Sequence, residues 1–314
     1  MIDGQIARIE RELGTPGLLE LLSTRLAPTD LQSLLLEVHA RHAAAVTPAR
    51  LLAQYRESRF VAPSPVSPRA LVEVDRLAWS LLPDGYEPLE LSPLCPLGTN
   101  SAVAPVSQHK VVSTDRTTEV VADSTNVLAL ECAVRRHDPA ARRREPVRLA
   151  ASHRLTRAQQ FGGARSWAHF RVLSLVAAGR DEGDLRFETR ALVEQIAFCA
   201  RLVEGAAALG RAFRGVRIAV TDVTDGRLTE TLESRVLAPL RERFPAARCH
   251  LAPERTAGRG YYGRVCFKLY ATNESGDEVE LADGGDTSWT RTLLGDEKER
   301  LVVSGLGVER LCVA

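Results

Sequence analysis

Two apolar segments on either side of a glycine pair constrain the fold of this 314-residue chain more than any other feature. Residues 147–157 and 169–177 each have the length and composition of a β-strand, and Gly162 and Gly163 lie between them. Strands that face each other across such a loop pair antiparallel, because a parallel crossover usually contains a helix. The sequence therefore predicts an antiparallel sheet.

The remaining strand and helix patterns do not alternate regularly. Strand patterns cover residues 85–91, 215–222, 263–271, 278–282 and 300–305. Helical periodicity is typical of residues 69–82, 187–209 and 229–243. Because the order is not strictly βαβ, we predict an α+β fold in which helices flank the antiparallel sheet.

The first part of the chain reads as a separate helical region. Asp30 can cap a helix whose leucines and valine recur at helical spacing over residues 31–38. The three prolines within residues 62–68 then interrupt regular structure, because proline lacks the amide donor and restricts the residue before it. We therefore expect a helical N-terminal extension with a proline-rich boundary over residues 1–68 and a main domain over residues 69–314.

Charge and cysteine usage exclude several classes of protein. The 41 Lys and Arg residues against 40 Asp and Glu give a net charge of +1, so the chain has no overall attraction to nucleic acid. The 6 cysteines are scattered without a CxxC pair, so we expect free thiols and no metal site built from cysteine and histidine. No apolar run approaches the length of a membrane span, and no signal-like region follows Met1. We expect a cytoplasmic protein with no membrane association.

Glycines followed by an arginine mark the end of the chain as a candidate binding element. Residues 304–311 read as a strand that ends in Gly305 and Gly307 and leads into a helix start carrying Arg310. Small residues let a nucleotide approach the backbone, and a guanidinium offers a fork for a phosphate. Taken alone, a Gly-x-Gly turn into a helix often serves packing only.

Two earlier segments make this pattern more specific. Tyr261 and Tyr262 stand between glycines at the start of a strand, and Gly284 and Gly285 read as a turn before the final motif. The tyrosine pair also has a simpler interpretation as core packing. Likewise, Asp123 can be a helix N-cap as well as a ligand-binding carboxylate.

In this order the motifs resemble the catalytic core of class II aminoacyl-tRNA synthetases. The resemblance is to the histidyl branch, which includes the synthetase-like regulatory subunit of ATP phosphoribosyltransferase, and it covers about residues 70–314. Motif 1, the dimer-interface element, is similar to residues 85–93, motif 2 to residues 153–156, 161–164 and 169–173, and motif 3 to residues 304–311. The resemblance implies the class II antiparallel sheet and a homodimer.

The resemblance also implies ATP and Mg²⁺ as cofactors and gives roles to individual residues. Arg154 would face the α-phosphate and Arg310 would hold the γ-phosphate, and these two are the implied catalytic residues. The further implied ATP-binding residues are Phe170, Gly305 and Gly307. The implied substrate-binding residues are Asp123, which would pair with an ammonium group, Thr125, Arg259, Tyr261 and Tyr262.

Four departures from the family pattern argue against histidine as the substrate. Thr156 stands where motif 2 usually has a glutamate, and Ala257 stands where the histidyl branch has an arginine that Arg255 or Arg259 could replace. Gly260 and Asp286 replace a family aspartate and a family arginine. With only four residues after Arg310, we also expect no anticodon-binding domain.

Three functions are compatible with these observations. The first is a synthetase-like ligase that activates an amino acid or related carboxylate with ATP. The second is a metabolite-sensing regulatory subunit of a partner enzyme. The third is an RNA-binding synthetase relative that uses the arginines of residues 135–148, although such a basic loop is more often solvated and tRNA binding is not expected. The sequence favours the ligase by a modest margin.

Overall fold

The computed structural model describes residues 2–140, 145–159 and 167–313, which group into two units. The N-terminal unit is Met1–Ala62 with Ser113–Thr118, and the core is Pro63–Val112 with Glu119–Ala314. The assignment of residues 1–68 and 69–314 to two domains stays a prediction.

The N-terminal unit is helical, as predicted. Its helices are α1 (Ile2–Leu13), α2 (Leu18–Glu20), which continues as a π-helical turn, α3 (Pro28–Ala44) and α4 (Pro48–Glu57). The prediction that Asp30 caps α3 is wrong. The helix begins at Pro28, where the missing amide of proline removes no helical hydrogen bond, so Asp30 lies in the first turn.

The core contains the following helices and strands. The helices are α5 (Pro68–Leu81), α6 (Ser124–Arg135), α7 (Arg186–Gly205), α8 (Thr229–Leu232), α9 (Ala238–Arg243), α10 (Trp289–Leu294) and α11 (Val308–Cys312). The strands are β1 (Glu87–Pro88), β2 (Leu94–Pro96), β3 (Thr118–Val120), β4 (Val147–Thr156), β5 (His169–Arg180), β6 (Arg214–Asp222), β7 (Arg248–Leu251), β8 (Val265–Thr272), β9 (Glu278–Thr287) and β10 (Glu299–Gly307).

The described strands form an eight-stranded sheet in the order β1-β4-β5-β10-β9-β8-β6-β7, with β2 and β3 paired separately. From β4 to β6 every neighbouring pair is antiparallel, which confirms the predicted sheet. The two edge strands differ, because β1 pairs with β4 and β7 pairs with β6 in parallel. Ser304 in the central strand faces Leu175 on one side and Gly284 on the other.

Helices cover both faces of the sheet. On one face α5 and α7 pack into a large apolar cluster that includes Val74 and Phe198. On the opposite face α6 contributes Leu128 and Cys132 to a second cluster. Burying a leucine or phenylalanine side chain of this kind contributes roughly 1.5–3 kcal/mol, so the two helical layers stabilise the sheet that carries the candidate site.

Gly284 and Gly285 do not form the predicted turn, because β9 runs straight through them to Thr287. A Cβ atom at Gly284 would lie 2.5 Å from a ring carbon of Phe267 and 2.5 Å from the carbonyl oxygen of Val303. These glycines are therefore required by close approach across the sheet and not by a change of chain direction.

Two smaller differences concern element length. The predicted strand over residues 85–91 is reduced to Glu87–Pro88, and the predicted helix over residues 187–209 ends at Gly205 and continues as a 3₁₀ turn. The 6 cysteines are free, as expected, and most are buried. In the part of the chain that the structure describes, no helix is long and apolar enough to cross a membrane.

Candidate functional site

A cavity of about 560 Å³ opens on the side of the sheet that carries α6. Its lining comes from the start of β5, the middle of β8 and β9, the end of β10, the start of α6 and residues 255–262. A volume of this order is typical of sites for small molecules. Gln159 and Trp167, the described residues on either side of 160–166, also line it. The predicted motif 2 loop, residues 161–164, lies outside the described residues.

The cavity brings together eight of the ten residues that the sequence marked as a site. Those from the substrate-binding group are Asp123, Thr125, Tyr261 and Tyr262. Those from the nucleotide-binding group are Phe170, Gly305, Gly307 and Arg310. Arg154 and Arg259 are not among its lining residues.

Asp123 caps α6, as one of its two interpretations predicts, and it also lines the cavity. Its role as a ligand-binding carboxylate stays a prediction. Its Oδ1 accepts hydrogen bonds from the backbone nitrogen and the hydroxyl of Thr125, at 3.0 and 2.7 Å. Its Oδ2 accepts from the hydroxyl of Tyr261 at 3.3 Å and pairs with Arg157 at 3.4 Å. The cap fixes one carboxylate oxygen, and the other remains directed towards the phenol and the guanidinium.

Tyr261 and Tyr262 form one wall of the cavity. Their rings meet edge to face with centroids 4.9 Å apart, and Tyr261 contacts Trp289 in the same manner at 5.3 Å. Burial raises the pKa of both phenols well above the usual value, and the carboxylates of Asp123 and Asp283 act in the same direction. Both hydroxyls are therefore protonated near neutral pH and donate hydrogen bonds to carboxylates.

A second carboxylate, Asp283, was missed by the sequence analysis. It accepts a hydrogen bond from the hydroxyl of Tyr262 and pairs with Nη2 of Arg255 at 2.9 Å. Burial raises the pKa of Asp283 above its usual value, while Arg255 and the Tyr262 hydroxyl lower it. The only sequence signal for this residue was its place directly before the glycine pair.

Arg255 is a buried guanidinium in the cavity wall. Its side chain is 9% exposed, and its Nε donates to the carbonyl oxygen of Ala257 at 2.8 Å. Among the described residues its Nη1 has no hydrogen-bond partner. This residue, which the sequence offered as one of two replacements for the family arginine, lies in the site, whereas the other, Arg259, is exposed and pairs with Asp225 at 2.9 Å.

Two cations line the cavity near the junction of β10 and α11. Arg310 donates to the carbonyl oxygen of Glu280 at 2.6 Å, and Lys268 pairs with the carboxylate of the same residue at 2.6 Å. Both cations line the cavity together with Gly305 and Gly307. This end of the cavity therefore holds the Lys268–Glu280 ion pair and the cation of Arg310, which is hydrogen-bonded to a neutral carbonyl oxygen, beside a wall without side chains.

Arg157 is a further cavity residue that the sequence analysis did not single out. Its Nε donates to the carbonyl oxygen of Ala122 at 2.9 Å, and its guanidinium lies 5.2 Å from the centre of the Phe170 ring. It follows directly on the end of β4, where a side chain can turn into the cavity.

Arg154, which the family resemblance places at the α-phosphate, does not line the cavity. It donates to Nδ1 of His169 at 3.0 Å and pairs with Glu309 at 3.2 Å. Its partner across β4 and β5 is Arg171, which pairs with Asp75 of α5. Because residues directly opposite in a sheet share a face, Arg154 points to the face covered by α5.

The family departures have different surroundings. Ala257 lines the cavity, whereas Thr156 does not. Asp286 is buried and accepts from the backbone nitrogens of Arg264 and Val265. Gly260 has a positive φ of 82°, which only glycine adopts readily.

The described arginines of the predicted basic loop are engaged in ion pairs. Arg135 pairs with Glu87 and Glu131, Arg136 is buried against Glu299, and Arg148 lies 3.6 Å from Glu194. Residues 142–144 lie outside the described residues. These pairs leave little of the described positive charge directed to a polyanion.

The donor set fits a nucleotide with a divalent cation. Gly305 has no side chain, and a Cβ atom there would lie 3.1 Å from Cγ1 of Val172. Arg310 and Lys268 line the same cavity. Glu280 and Glu309 also line this end. The carboxylate of Glu280 pairs with Lys268, and that of Glu309 is buried against Arg154 and the backbone nitrogen of Arg171. Among the described residues, no group of three metal-binding side chains is found.

Comparison with protein-family models found no match, and neither did a search of curated protein sequences. Solved structures, in contrast, match over most of the chain. An ATP phosphoribosyltransferase regulatory subunit/histidyl-tRNA synthetase from Bacillus halodurans superposes with a TM-score of 0.57 at 15% identity, covering 82% of each chain.

Two further structures give the same result. The apo histidyl-tRNA synthetase of S. aureus has a TM-score of 0.56 at 16% identity over 79% of this chain and 67% of its own. A histidine–tRNA ligase subunit from Alicyclobacillus acidocaldarius has a TM-score of 0.53 at 16% identity over 80% of this chain and 94% of its own. The chain therefore has the α+β fold of class II aminoacyl-tRNA synthetases, which these histidyl-tRNA synthetases and the regulatory subunit share.

Proposed function

We propose that the core activates an amino acid or a related carboxylate with ATP, forming an acyl-adenylate. One observation carries this proposal. A single cavity joins a carboxylate and two phenols, at Asp123, Tyr261 and Tyr262, to the cations Arg310 and Lys268 beside a glycine-lined wall. An amino acid needs the first set of groups and a triphosphate needs the second.

Asp123 would hold the ammonium group of the amino acid. Its Oδ2 has only long contacts, 3.3 Å to Tyr261 and 3.4 Å to Arg157, so an ammonium can add a closer charge-assisted hydrogen bond. The tyrosine rings exclude water from this end. A held ammonium fixes the attached carboxylate, and positioning of this kind lowers the barrier to attack.

The reaction is an in-line displacement at phosphorus. A carboxylate oxygen forms a bond to the α-phosphorus of ATP, and the bond to the bridging oxygen of pyrophosphate breaks. Negative charge moves onto the pyrophosphate, so fixed cations supply most of the stabilisation. Arg310 and Lys268 are the groups that would meet this charge, and Arg157 would meet the α-phosphate.

Phe170 offers a ring face for the adenine. Mg²⁺, when bound, would neutralise phosphate charge, and Glu280 is the cavity carboxylate that would hold it. The α-phosphate role of Arg154 stays a prediction, which requires that its guanidinium leave Glu309 and His169.

Isotope exchange between pyrophosphate and ATP tests the proposal. We expect exchange with one amino acid, or a few related ones, from a full panel. Arg157→Gln should reduce the exchange at least about 10-fold, because a fixed cation is lost from the site. Arg243→Gln is the matched control, because Arg243 is exposed at the end of α9 and does not line the cavity. Silence across the panel with intact ATP binding would contradict a ligase.

The second candidate function is a metabolite-sensing regulatory subunit. Thr156 in place of the motif 2 glutamate and the inward pairing of Arg154 with Glu309 favour it. A partner enzyme that copurifies with the protein and changes activity on addition of one amino acid would support this function over the ligase.

Three further properties are proposed, and the first of them follows from the family resemblance. The protein forms a homodimer through the motif 1 region, which light scattering of the purified protein tests. A monomer at micromolar concentration would contradict it. The protein acts in the cytoplasm and binds no tRNA, which cell fractionation and a filter-binding assay at low salt can each test.

A further inference from the structure

We propose that Asp283 and Arg255 together read the distal end of the amino-acid ligand, and that they select a neutral group with a donor and an acceptor side by side. Carboxamide and ureido groups have this chemistry. The inference rests on the proposed function in one respect, since it takes the ligand of the cavity to be an amino acid.

Arg255 supplies the donor. Its guanidinium is held on two sides, by the carbonyl oxygen of Ala257 at 2.8 Å and by Asp283 at 2.9 Å. Its Nη1 has no hydrogen-bond partner among the described residues, although the side chain is only 9% exposed. A buried N–H without a partner is costly, so a ligand that brings an acceptor to this atom gains affinity.

Asp283 supplies the acceptor. Its two oxygens accept from the Tyr262 hydroxyl and from Arg255, and a carboxylate has further lone pairs for a ligand donor. The Asp283 side chain is 33% exposed. Arg255 and Asp283 both line the cavity, so an N–H donor and an acceptor joined by one ion pair lie side by side in its wall.

The charge of this pair decides what it accepts. A ligand ending in an ammonium meets Arg255, and a ligand ending in a carboxylate meets Asp283, so each is repelled by one member. An apolar end leaves both groups desolvated without new partners. An imidazole presents its two nitrogens in divergent directions and cannot meet both groups at once. A carboxamide presents its oxygen and nitrogen on one edge, which suits adjacent groups.

The two carboxylates of the cavity therefore have separate tasks. Asp123 lies 3.4 Å from Arg157, whose side chain is 33% exposed, and its Oδ2 can accept a closer hydrogen bond from an ammonium group. Asp283 is tied at 2.9 Å to a buried arginine, so its charge is largely compensated. The first is suited to the charged end of an amino acid and the second to a neutral polar end.

Calorimetric titration of the intact protein without ATP tests the proposal. The probes are glutamine, asparagine and citrulline against glutamate, lysine, methionine and histidine. We expect at least one amide or ureido amino acid to bind about 10- to 1,000-fold more tightly than any of the last four, because a buried polar site rejects ligands that leave it unpaired. Equal or tighter binding of a charged, apolar or imidazole amino acid would overturn the proposal, as would no binding by any probe.

Two variants move the preference in opposite directions. Asp283→Asn leaves Arg255 without its counter-charge, so the preference should shift towards glutamate. Arg255→Gln leaves the carboxylate alone, so the preference should shift towards lysine. A merely structural role would weaken all probes alike, and that result would contradict the proposal.

Arg255→Lys, which keeps the charge but lacks the fork, should bind the amide probe more weakly without changing the order of the probes. It serves as the second variant if Arg255→Gln does not fold. The titrations need no turnover, so failure of pyrophosphate exchange would remove the ligase and leave this selectivity standing. Pyrophosphate exchange together with a preference for a charged, apolar or imidazole amino acid would support the ligase and overturn this selectivity.

Discussion

The hydroxyl of Tyr261 donates to Oδ2 of Asp123 at 3.3 Å, although the two residues lie 138 positions apart in the chain. The contact joins the start of α6 to the loop before β8 and closes one wall of the cavity. Oδ1 of the same carboxylate caps α6. A single side chain thus serves the stability of a helix and the chemistry of the site, and substitutions can separate these two tasks.

Asp123→Asn should weaken ligand binding without unfolding the protein. Asparagine caps a helix as well as aspartate does, but it lacks the charge that would hold an ammonium group. We expect amino-acid affinity to fall about 10- to 100-fold, the loss of one charge-assisted hydrogen bond. Calorimetric titration measures this loss.

Asp123→Ala is the matched comparison. It should lose affinity to a similar extent and also about 1 kcal/mol of stability, because the cap on α6 is removed. Equal stability of the two variants in urea unfolding would show that Asp123 does not cap the helix in solution.

Arg310→Gln should weaken nucleotide binding while leaving amino-acid binding intact. The Arg310 guanidinium is a cation, whereas Asp123 is an anion in the same cavity. Among the hydrogen bonds described, the guanidinium donates only to the carbonyl oxygen of Glu280. We expect the Kd for ATP to rise about 10-fold or more, and Arg310→Lys to give a smaller rise, because lysine keeps the charge and loses the fork. An unchanged Kd for ATP in a fluorescence titration would remove Arg310 from the nucleotide site.

Gly284→Ala should destabilise the core. The new methyl group would stand 2.5 Å from both the Phe267 ring and the Val303 carbonyl oxygen, and neither neighbour can withdraw freely inside a sheet. Overpacking of this kind costs about 1–3 kcal/mol. Gly4→Ala is the control, since a Cβ at Gly4 meets nothing within 4 Å. Thermal unfolding should show a lower Tm for the first variant only.

Glu119 should make the core sensitive to acid. Its carboxylate is fully buried and accepts from the backbone nitrogens of Gly98 and Asn100 at 2.9 Å each, and from the side chain of Gln108 at 2.7 Å. Burial alone would raise the pKa of Glu119, but these donors together hold the pKa below its ordinary value of 4.5.

A pKa that is lower in the folded state stabilises the protein above the unfolded-state value. This contribution is complete above about pH 4.5 and disappears as the pH falls through the folded-state pKa. Glu119→Gln should lower stability at pH 7 by about 1–3 kcal/mol, since an amide nitrogen meets donors, and should flatten the acid limb of the stability profile. Urea unfolding between pH 3 and 7 gives this comparison, and an unaltered acid limb would contradict it.

Features with a local cause were predictable from the sequence. The junction of β10 and α11, with Arg310 just inside the helix, follows from an apolar run that ends in small residues. The helix cap at Asp123 follows from side-chain preferences at a helix start. The hairpin strands β4 and β5 were recognisable by their length and composition.

Features with a distant cause were not predictable. In the sequence, Gly284 and Gly285 resemble a turn. The need for glycine at position 284 comes from close contact with Phe267 and Val303 on neighbouring strands, which the local sequence does not show. The direction of Arg154 depends on its register opposite Arg171, which one strand alone does not reveal. Arg255 pairs with Asp283 although the whole of β8 and the start of β9 lie between them in the chain, so the local sequence does not show the contact.

Determination of a crystal structure with ATP, Mg²⁺ and the amino acid that binds most tightly tests the central proposal most directly. The proposal predicts both ligands in the one cavity, with the triphosphate against Arg310 and the ammonium group against Asp123. A nucleotide bound elsewhere on the protein, or an amino acid that fills the position of the nucleotide, would contradict it.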